Sequence, residues 1–405
     1  MHIALLSPNW PPGAFPNGVV TYVDCMRRAL MAQGHRVSVF TGTIGAAARD
    51  STVHKVERSV TDRIAEAIRR RVLRRRPSVF DSGALIAETI ARVHRAEPID
   101  VIEMEESFGW VAEVARRTGV AVVVKLHGPA FLHLIDEELA TPQGQEKVRR
   151  EGLALAALPV VIAPARFTLD QTLARYALKP TVAEQVVNPV ALSEGAPMWR
   201  LDRCQRDTVL FVGRFDKVKG GDIVLRAFQT LLARKPHLKL VFVGPDSGLV
   251  RPDGSKIHFD AFVDSLADAC LTRAVSYRGR LAPSEVAQMR AQAMVTVVAS
   301  RHENQAYTVL EAMLQGCPVV CTNNSGSSES VAHEVTGLLA QTDDPADMAR
   351  QIERFVDDPT LACAVGAAAR AYVLEVHAPQ TVVAQTLEIY RRAIALRRTA
   401  VVTHG

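Results

Sequence analysis

A chain of 405 residues, 48% of them hydrophobic, is long enough to bury two separate cores. Its formal net charge of +5 is too small to argue for nucleic acid. The opening Met1-His-Ile-Ala-Leu-Leu-Ser7 is too short, and too soon followed by Pro8, for a signal peptide, and no segment reads as a transmembrane span. Six scattered cysteines without a Cys-x-x-Cys pair read as reduced thiols of a cytoplasmic protein.

In chain order, His2–Ser7 reads as a buried strand, and Pro8–Asn17 as a loop rich in Pro and Gly. A helix from Gly18 to about Gln33 is ended by Gly34, and Arg36–Thr41 is the next strand. Gly18 stands where strand hands over to helix, a place where backbone can approach a ligand closely. Between Val60 and Pro77, Ile64, Ile68 and Val72 form one helical stripe flanked by arginines. That pattern predicts a surface helix, either simply solvated or resting on anionic lipid through residues 63–76.

Alternation continues through a strand at Asp100–Glu105, a helix near Gly109–Thr118 and an apolar strand at Val120–Leu126. Glu103, Glu105 and Glu106 fall at a strand end, where they orient an acceptor hydroxyl or cap the next helix. His127 directly follows the next strand on the same side. Pro159–Pro164 is a further strand, with Arg166 opening a helix behind it. Around 193–207 the periodicity gives way to Gly, Pro and charge, which predicts an interdomain linker.

A second alternating series begins at Thr208–Gly213 and runs into Arg214-Phe-Asp-Lys-Val-Lys219-Gly220-Gly221. Two cations at a glycine-rich turn from strand to helix suit a diphosphate. Near the end of this series lies a buried strand, Met294–Ser300, a polar loop, and a helix with Val309, Leu310, Met313 and Leu314 on one face. Gly316 suits a left-handed helix exit, and Pro318 opens another strand. Glu303 sits in the loop and Glu311 in the helix, eight residues apart. The helix start offers N–H groups to a phosphate oxygen, and carboxylates beside such a seat suit neutral hydroxyls. Either Glu alone is as readily a helix residue. Asp343-Asp344-Pro345 and Asp357-Asp358-Pro359 read as helix caps, and no Asp-x-Asp occurs at a strand end, so no metal and no cofactor is expected.

The segment 299–321 resembles the E-x7-E element of retaining glycosyltransferases of family 4 (glycosyl transferases group 1), and Gly213-Arg214…Lys219-Gly220 resembles that family's Gly-Arg…Lys-Gly element. The resemblance spans nearly the whole chain, with its specific motifs in the C-terminal half. It implies an α/β fold of GT-B type, two Rossmann-like domains with parallel sheets facing a deep cleft. The implied division is 1–192 for the acceptor, a linker at 193–207, 208–378 for the nucleotide-sugar, and 379–405 as a helix packing back on the first domain. By the same resemblance, Arg214 and Lys219 hold the β-phosphate, Glu303 faces the donor sugar, and Glu311 grips the ribose. His127 approaches the sugar, and Gly18, Gly213, Asn304, Gln305, Ala306, Tyr307 and Arg280 complete the donor site, with Glu103 and Glu105 on the acceptor side. Family members also carry a Glu in the loop of Glu329. Where relatives usually have Glu-Gly-Phe-Gly, this chain has Glu303-Asn-Gln-Ala306.

The expected reaction is therefore transfer of a hexosyl group from a nucleotide-sugar to a hydroxyl with retention and without metal. The acceptor would be a small molecule, a glycan or a lipid, in cell-envelope or exopolysaccharide synthesis. The expected place is the cytoplasm, peripheral to the membrane through 63–76. Two other readings share the features: a nucleotide-sugar epimerase of the same fold, and a non-catalytic protein that binds sugar nucleotides in two domains.

Overall fold

The computed structural model describes residues 1–15, 17–45, 50–57, 79, 82–192, 194–251, 253–323 and 325–404. The chain forms two compact units, Met1–Pro189 with Pro379–Gly405, and Val190–Ala378. The basic stretch 63–76 lies outside the described residues.

In the first unit the strands are β1 (His2–Trp10), β2 (Arg36–Ile44), β3 (Val53–Lys55), β4 (Val101–Met104), β5 (Ala121–Lys125), β6 (Val160–Ala163) and β7 (Val182–Gln185). They form one sheet in the order β3-β2-β1-β4-β5-β6-β7, every pairing parallel. β4, β5 and β6 are buried at every position, because helices cover both faces of a parallel sheet. The helix Gly18–Ala32 starts on Asn17, whose side-chain oxygen accepts from Val19 N at 2.8 Å. Gly34, at φ 81°, provides the left-handed turn out of it.

The second unit holds β8 (Gln205–Val212), β9 (Lys239–Val243), a small antiparallel pair β10 (Leu249–Val250) and β11 (Lys256–Ile257), then β12 (Val275–Tyr277), β13 (Ala293–Val298), β14 (Val319–Thr322) and β15 (Leu338–Ala340). Its main sheet runs β12-β9-β8-β13-β14-β15, again all parallel. Parallel sheets of seven and six strands, each wrapped by helices, make each unit Rossmann-like, as expected.

Residues 193–207, expected as a linker, are largely part of the second unit. Trp199 packs into its core and donates its indole N–H to Ala293 O at 2.8 Å, and β8 already begins at Gln205. A large aromatic with its N–H satisfied anchors a segment that lacks any periodicity of its own. Pro359–Thr399 is the one helical stretch among the described residues long and apolar enough to cross a membrane, containing an 18-residue window of mean hydropathy 1.2, contrary to expectation. It is broken before Pro379 into the helices Pro359–Val376 and Pro379–His404. Val365, Ala369 and Val373 fill the second unit's core, while Val382, Val383 and Tyr390 are buried in the first unit, which accounts for part of that apolar composition.

Candidate functional site

Within the second unit, β8 and β13 are neighbours from which the chain winds outward in opposite directions, through β9 on one side and β14 on the other. The carboxyl ends of such a pair bound the crevice where open parallel sheets bind ligands. β8 leads into Gly213 and the turn 214–220, and β13 leads into the loop 299–305. Gly220, at φ 68°, is the cap of the helix Gly221–Leu232, and a Cβ on it would collide with the carbonyl of Ala299. Only glycine lets these two loops touch.

That approach brings together two charges 84 residues apart in sequence. The Lys219 ammonium donates to the Glu303 carboxylate, whose same oxygen accepts from Ser300 Oγ at 2.9 Å. Arg214 Nε donates to Asp216 Oδ2 at 2.6 Å, and the other Asp216 oxygen accepts from the backbone N–H of Lys219 at 2.7 Å. Asp216 was not singled out by sequence; its signal was its place inside the Arg…Lys turn. Arg214 is about half exposed and Glu303 nearly buried. Gly213 has a packing reason as well, since a Cβ there would stand 2.9 Å from the Phe211 ring.

The helix Tyr307–Gln315 follows on Ala306 and ends on Gly316 at φ 76°, as expected. The seat at its start is taken up internally: Ala306 N donates to Ser327 Oγ at 3.0 Å, and Gln305 Nε2 to Ser330 Oγ at 3.0 Å. Asn304 and Gln305 are buried, Tyr307 partly so, and Arg280 and Glu329 lie exposed. Glu311 projects from the same helix, and one of its oxygens accepts from the buried guanidinium of Arg290 at 2.9 Å. Arg290 also reaches Gln315 at 2.8 Å, fixing its plane. Of the two Asp-Asp-Pro segments, the second aspartate in each caps a helix, Asp344 from Asp347 N and Asp358 from Thr360 N and Leu361 N. The first aspartates do otherwise: Asp343 meets Arg301 and Asp357 meets Lys235.

In the first unit Glu103 and Glu106 are inside the fold. Glu103, an expected acceptor-side group, is 3% exposed and accepts from the Tyr22 hydroxyl at 2.7 Å and the Tyr390 hydroxyl at 2.9 Å. Burial pushes its pKa up against the pull of Lys125 and the two tyrosines. It is a structural group, because both oxygens are engaged by the helices that flank its strand. Glu106 accepts from the backbone N–H groups of His127 (2.9 Å) and Gly128 (2.8 Å), so it fixes the loop carrying the histidine. Glu105 is half-buried beside it, accepts from Ser107 Oγ at 3.2 Å, and is raised to about 7 by burial and the Glu106 charge. His127 packs edge-on to Tyr22, ring centroids 4.9 Å apart. Burial and the nearby Lys125 ammonium depress it to about 3, so its imidazole is neutral at any ordinary pH. Lys125, itself lowered to about 7 by burial, donates to Val186 O. Gly18 opens its helix exposed at the carboxyl side of β1.

Residues 16–194 match the family Glycosyltransferase Family 4, and 203–372 match Glycosyl transferases group 1. The D-inositol 3-phosphate glycosyltransferase of Streptomyces avermitilis is 27% identical over 99% of this chain and 90% of its own length. The enzyme of the same name from Streptosporangium roseum is 31% identical over 72% of this chain and 69% of its own. Among solved structures, Anabaena HepE in complex with UDP-glucose superposes with a TM-score of 0.69 at 16% identity, covering 96% of this chain and 99% of that one. With these matches the chain belongs to the group 1 glycosyltransferases of the GT-B fold.

Proposed function

We propose that this glycosyltransferase moves a hexosyl group from a nucleotide-sugar to a hydroxyl with retention of anomeric configuration and without a metal ion. The carrying observation is the Lys219–Glu303 pair at the carboxyl ends of β8 and β13, with Arg214 and Asp216 beside it. When a donor binds, its β-phosphate takes Lys219 and Arg214 from their carboxylates. Glu303 then accepts from sugar hydroxyls, while Glu311, held by Arg290 on one oxygen, offers the other to the ribose. As the glycosyl–oxygen bond breaks, the electron pair goes to the diphosphate, where the two cations meet the growing charge. The acceptor oxygen attacks the same face and loses its proton to the departing phosphate, so no protein nucleophile is needed.

The first unit supplies the acceptor side, with Glu105 as its polar candidate, and neutral His127 lines the other side of the donor sugar. The relatives' names make a UDP-sugar and D-inositol 3-phosphate the first donor and acceptor to assay. Lipid-linked and glycan acceptors of envelope synthesis come next. The cytoplasm, with contact between the arginines of 63–76 and anionic lipid, completes the reading, and sedimentation with anionic vesicles at low salt tests that contact.

A thermal-shift screen of UDP-, GDP- and ADP-sugars identifies the donor, since a ligand at 100 times its Kd adds ~2.7 kcal/mol. Proton NMR of the product then reads the anomer, with and without saturating chelator. An axial donor giving an axial product, in chelator, supports the proposal. An inverted product contradicts retention, and activity restored by Mg²⁺ contradicts metal independence. Conversion of donor alone into its epimer would establish the epimerase reading instead.

A further inference from the structure

One strongly bound cation at the same strand ends has no part in that scheme. Arg301, two residues before Glu303, is largely buried, and its guanidinium spans three loops. Its Nη1 and Nη2 grip Asp222 in a two-pronged pair at 2.9 and 2.8 Å. Nη1 also donates to the carbonyl of Lys217 at 2.5 Å, and Nε to Asp343 at 2.6 Å. Its backbone N–H donates to Val218 O at 2.8 Å. Burial opposes its charge, yet Asp222 and Asp343 hold its pKa above the ordinary value. Two of these bonds end on the backbone of Lys217 and Val218, immediately before Lys219.

We propose that Arg301 is a positioning residue that holds the turn 214–220 so that the Lys219 ammonium lies where the donor's leaving phosphate will be. This rests on the functional reading above and goes beyond it. A lysine has a long flexible stem, so where its charge sits depends on where its backbone is anchored. The Arg301 fork supplies that anchor from the loop carrying Glu303, and Asp222, in the first turn of the helix Gly221–Leu232, ties the fork to the far end of the same turn. The sugar-binding carboxylate and the phosphate-binding ammonium are thereby registered against each other through one planar group. Asp343 adds the loop after β15 as a third support.

The test is a double-mutant cycle in single-turnover cleavage of whichever UDP-, GDP- or ADP-sugar the wild type cleaves. Arg301→Lys keeps the charge and loses the fork, and should lower the cleavage rate on the order of 10²-fold, the cost of misplacing a catalytic group by about an ångström. Donor affinity should change far less. In a Lys219→Ala background the same Arg301→Lys change should have little further effect, because the group it positions is gone. Asp222→Asn, which leaves Arg301 in place and weakens its grip, should give the same non-additive pattern more mildly. Losses that simply add in the cycle would overturn the inference, as would an Arg301→Lys protein with lowered melting temperature and a wild-type cleavage rate. A wild type that cleaves no donor, with saturating nucleotide binding, contradicts the functional reading itself and this inference with it.

Discussion

At the strand ends of the second unit, cations and carboxylates are paired where water still reaches them: the Lys219 side chain is 27% exposed and that of Arg214 49%. In the first unit, Glu103 of β4, Glu106 just after it and Glu151 of the helix Pro142–Ala156 are 3%, 1% and 0% exposed and accept from hydroxyls and backbone N–H groups. A partly exposed ion pair is worth little, about 0–1 kcal/mol, so a phosphate can replace its carboxylate at small cost. A buried carboxylate that has collected its donors cannot be traded that way without leaving polar groups unpaired. The same residue type thus serves exchange where its donor is a partly exposed cation and shape where its donors are buried hydroxyls or backbone N–H groups.

The largest expected effect lies on the exchanging side. Lys219→Ala removes a cation that meets charge developing on the leaving phosphate and should lower kcat on the order of 10²–10³-fold, by comparison with loss of one preorganised donor. Steady-state kinetics, with circular dichroism confirming the fold, checks it. A near-normal kcat would erase the contrast between the two regions.

On the shape-keeping side, Tyr390→Phe takes one hydroxyl from buried Glu103 and should cost about 1–3 kcal/mol of stability, read by urea denaturation. Nucleotide affinity should stay at the wild-type level. A variant that unfolds normally but binds donor poorly would place Glu103 among the functional groups after all.

The smallest effect is one of pH. Glu151, whose oxygens accept from Phe108 N and Ala130 N, is pushed up to about 8 by burial and by Glu106. A folded-state value above the unfolded one means the native chain holds a proton that the unfolded chain releases. Its contribution to stability is therefore full below the usual carboxylate range and is lost as pH rises through about 8. Glu151→Gln should flatten the fall in stability between pH 5 and 9 by at least roughly 1 kcal/mol, the value of one pKa unit. An unchanged slope would show the carboxyl to be ionised throughout.

Much of this was legible in the chain. Apolar runs bounded by glycine and proline marked the parallel strands, because strands covered on both faces need no alternation. The two motifs of the second unit could be read because each is local, a turn or a loop whose residues stand close in sequence. What joins them was not, since Arg301 meets Asp222 across 79 positions; in the first unit, likewise, Glu103 meets Tyr390 across 287. Such pairs leave no period or spacing to detect. Lys125 was a missed signal, a cation inside the apolar run Val122–Leu126 that had to find an internal acceptor. The Asp-Asp-Pro segments cap helices as their composition suggests, through Asp344 and Asp358, while the bonds of Asp343 to Arg301 and of Asp357 to Lys235 had no local signal.

The most direct test concerns the resting pair Lys219–Glu303. Calorimetry of the bare nucleoside diphosphate should show Glu303→Gln binding as tightly as the wild type, or more so, since the carboxylate that competes for Lys219 is gone. Glu311→Gln should weaken the same ligand by about 1.5–3 kcal/mol through its lost ribose contact. If instead Glu303→Gln loses diphosphate affinity while Glu311→Gln keeps it, the two carboxylates have the opposite roles and Lys219 is not released to the phosphate.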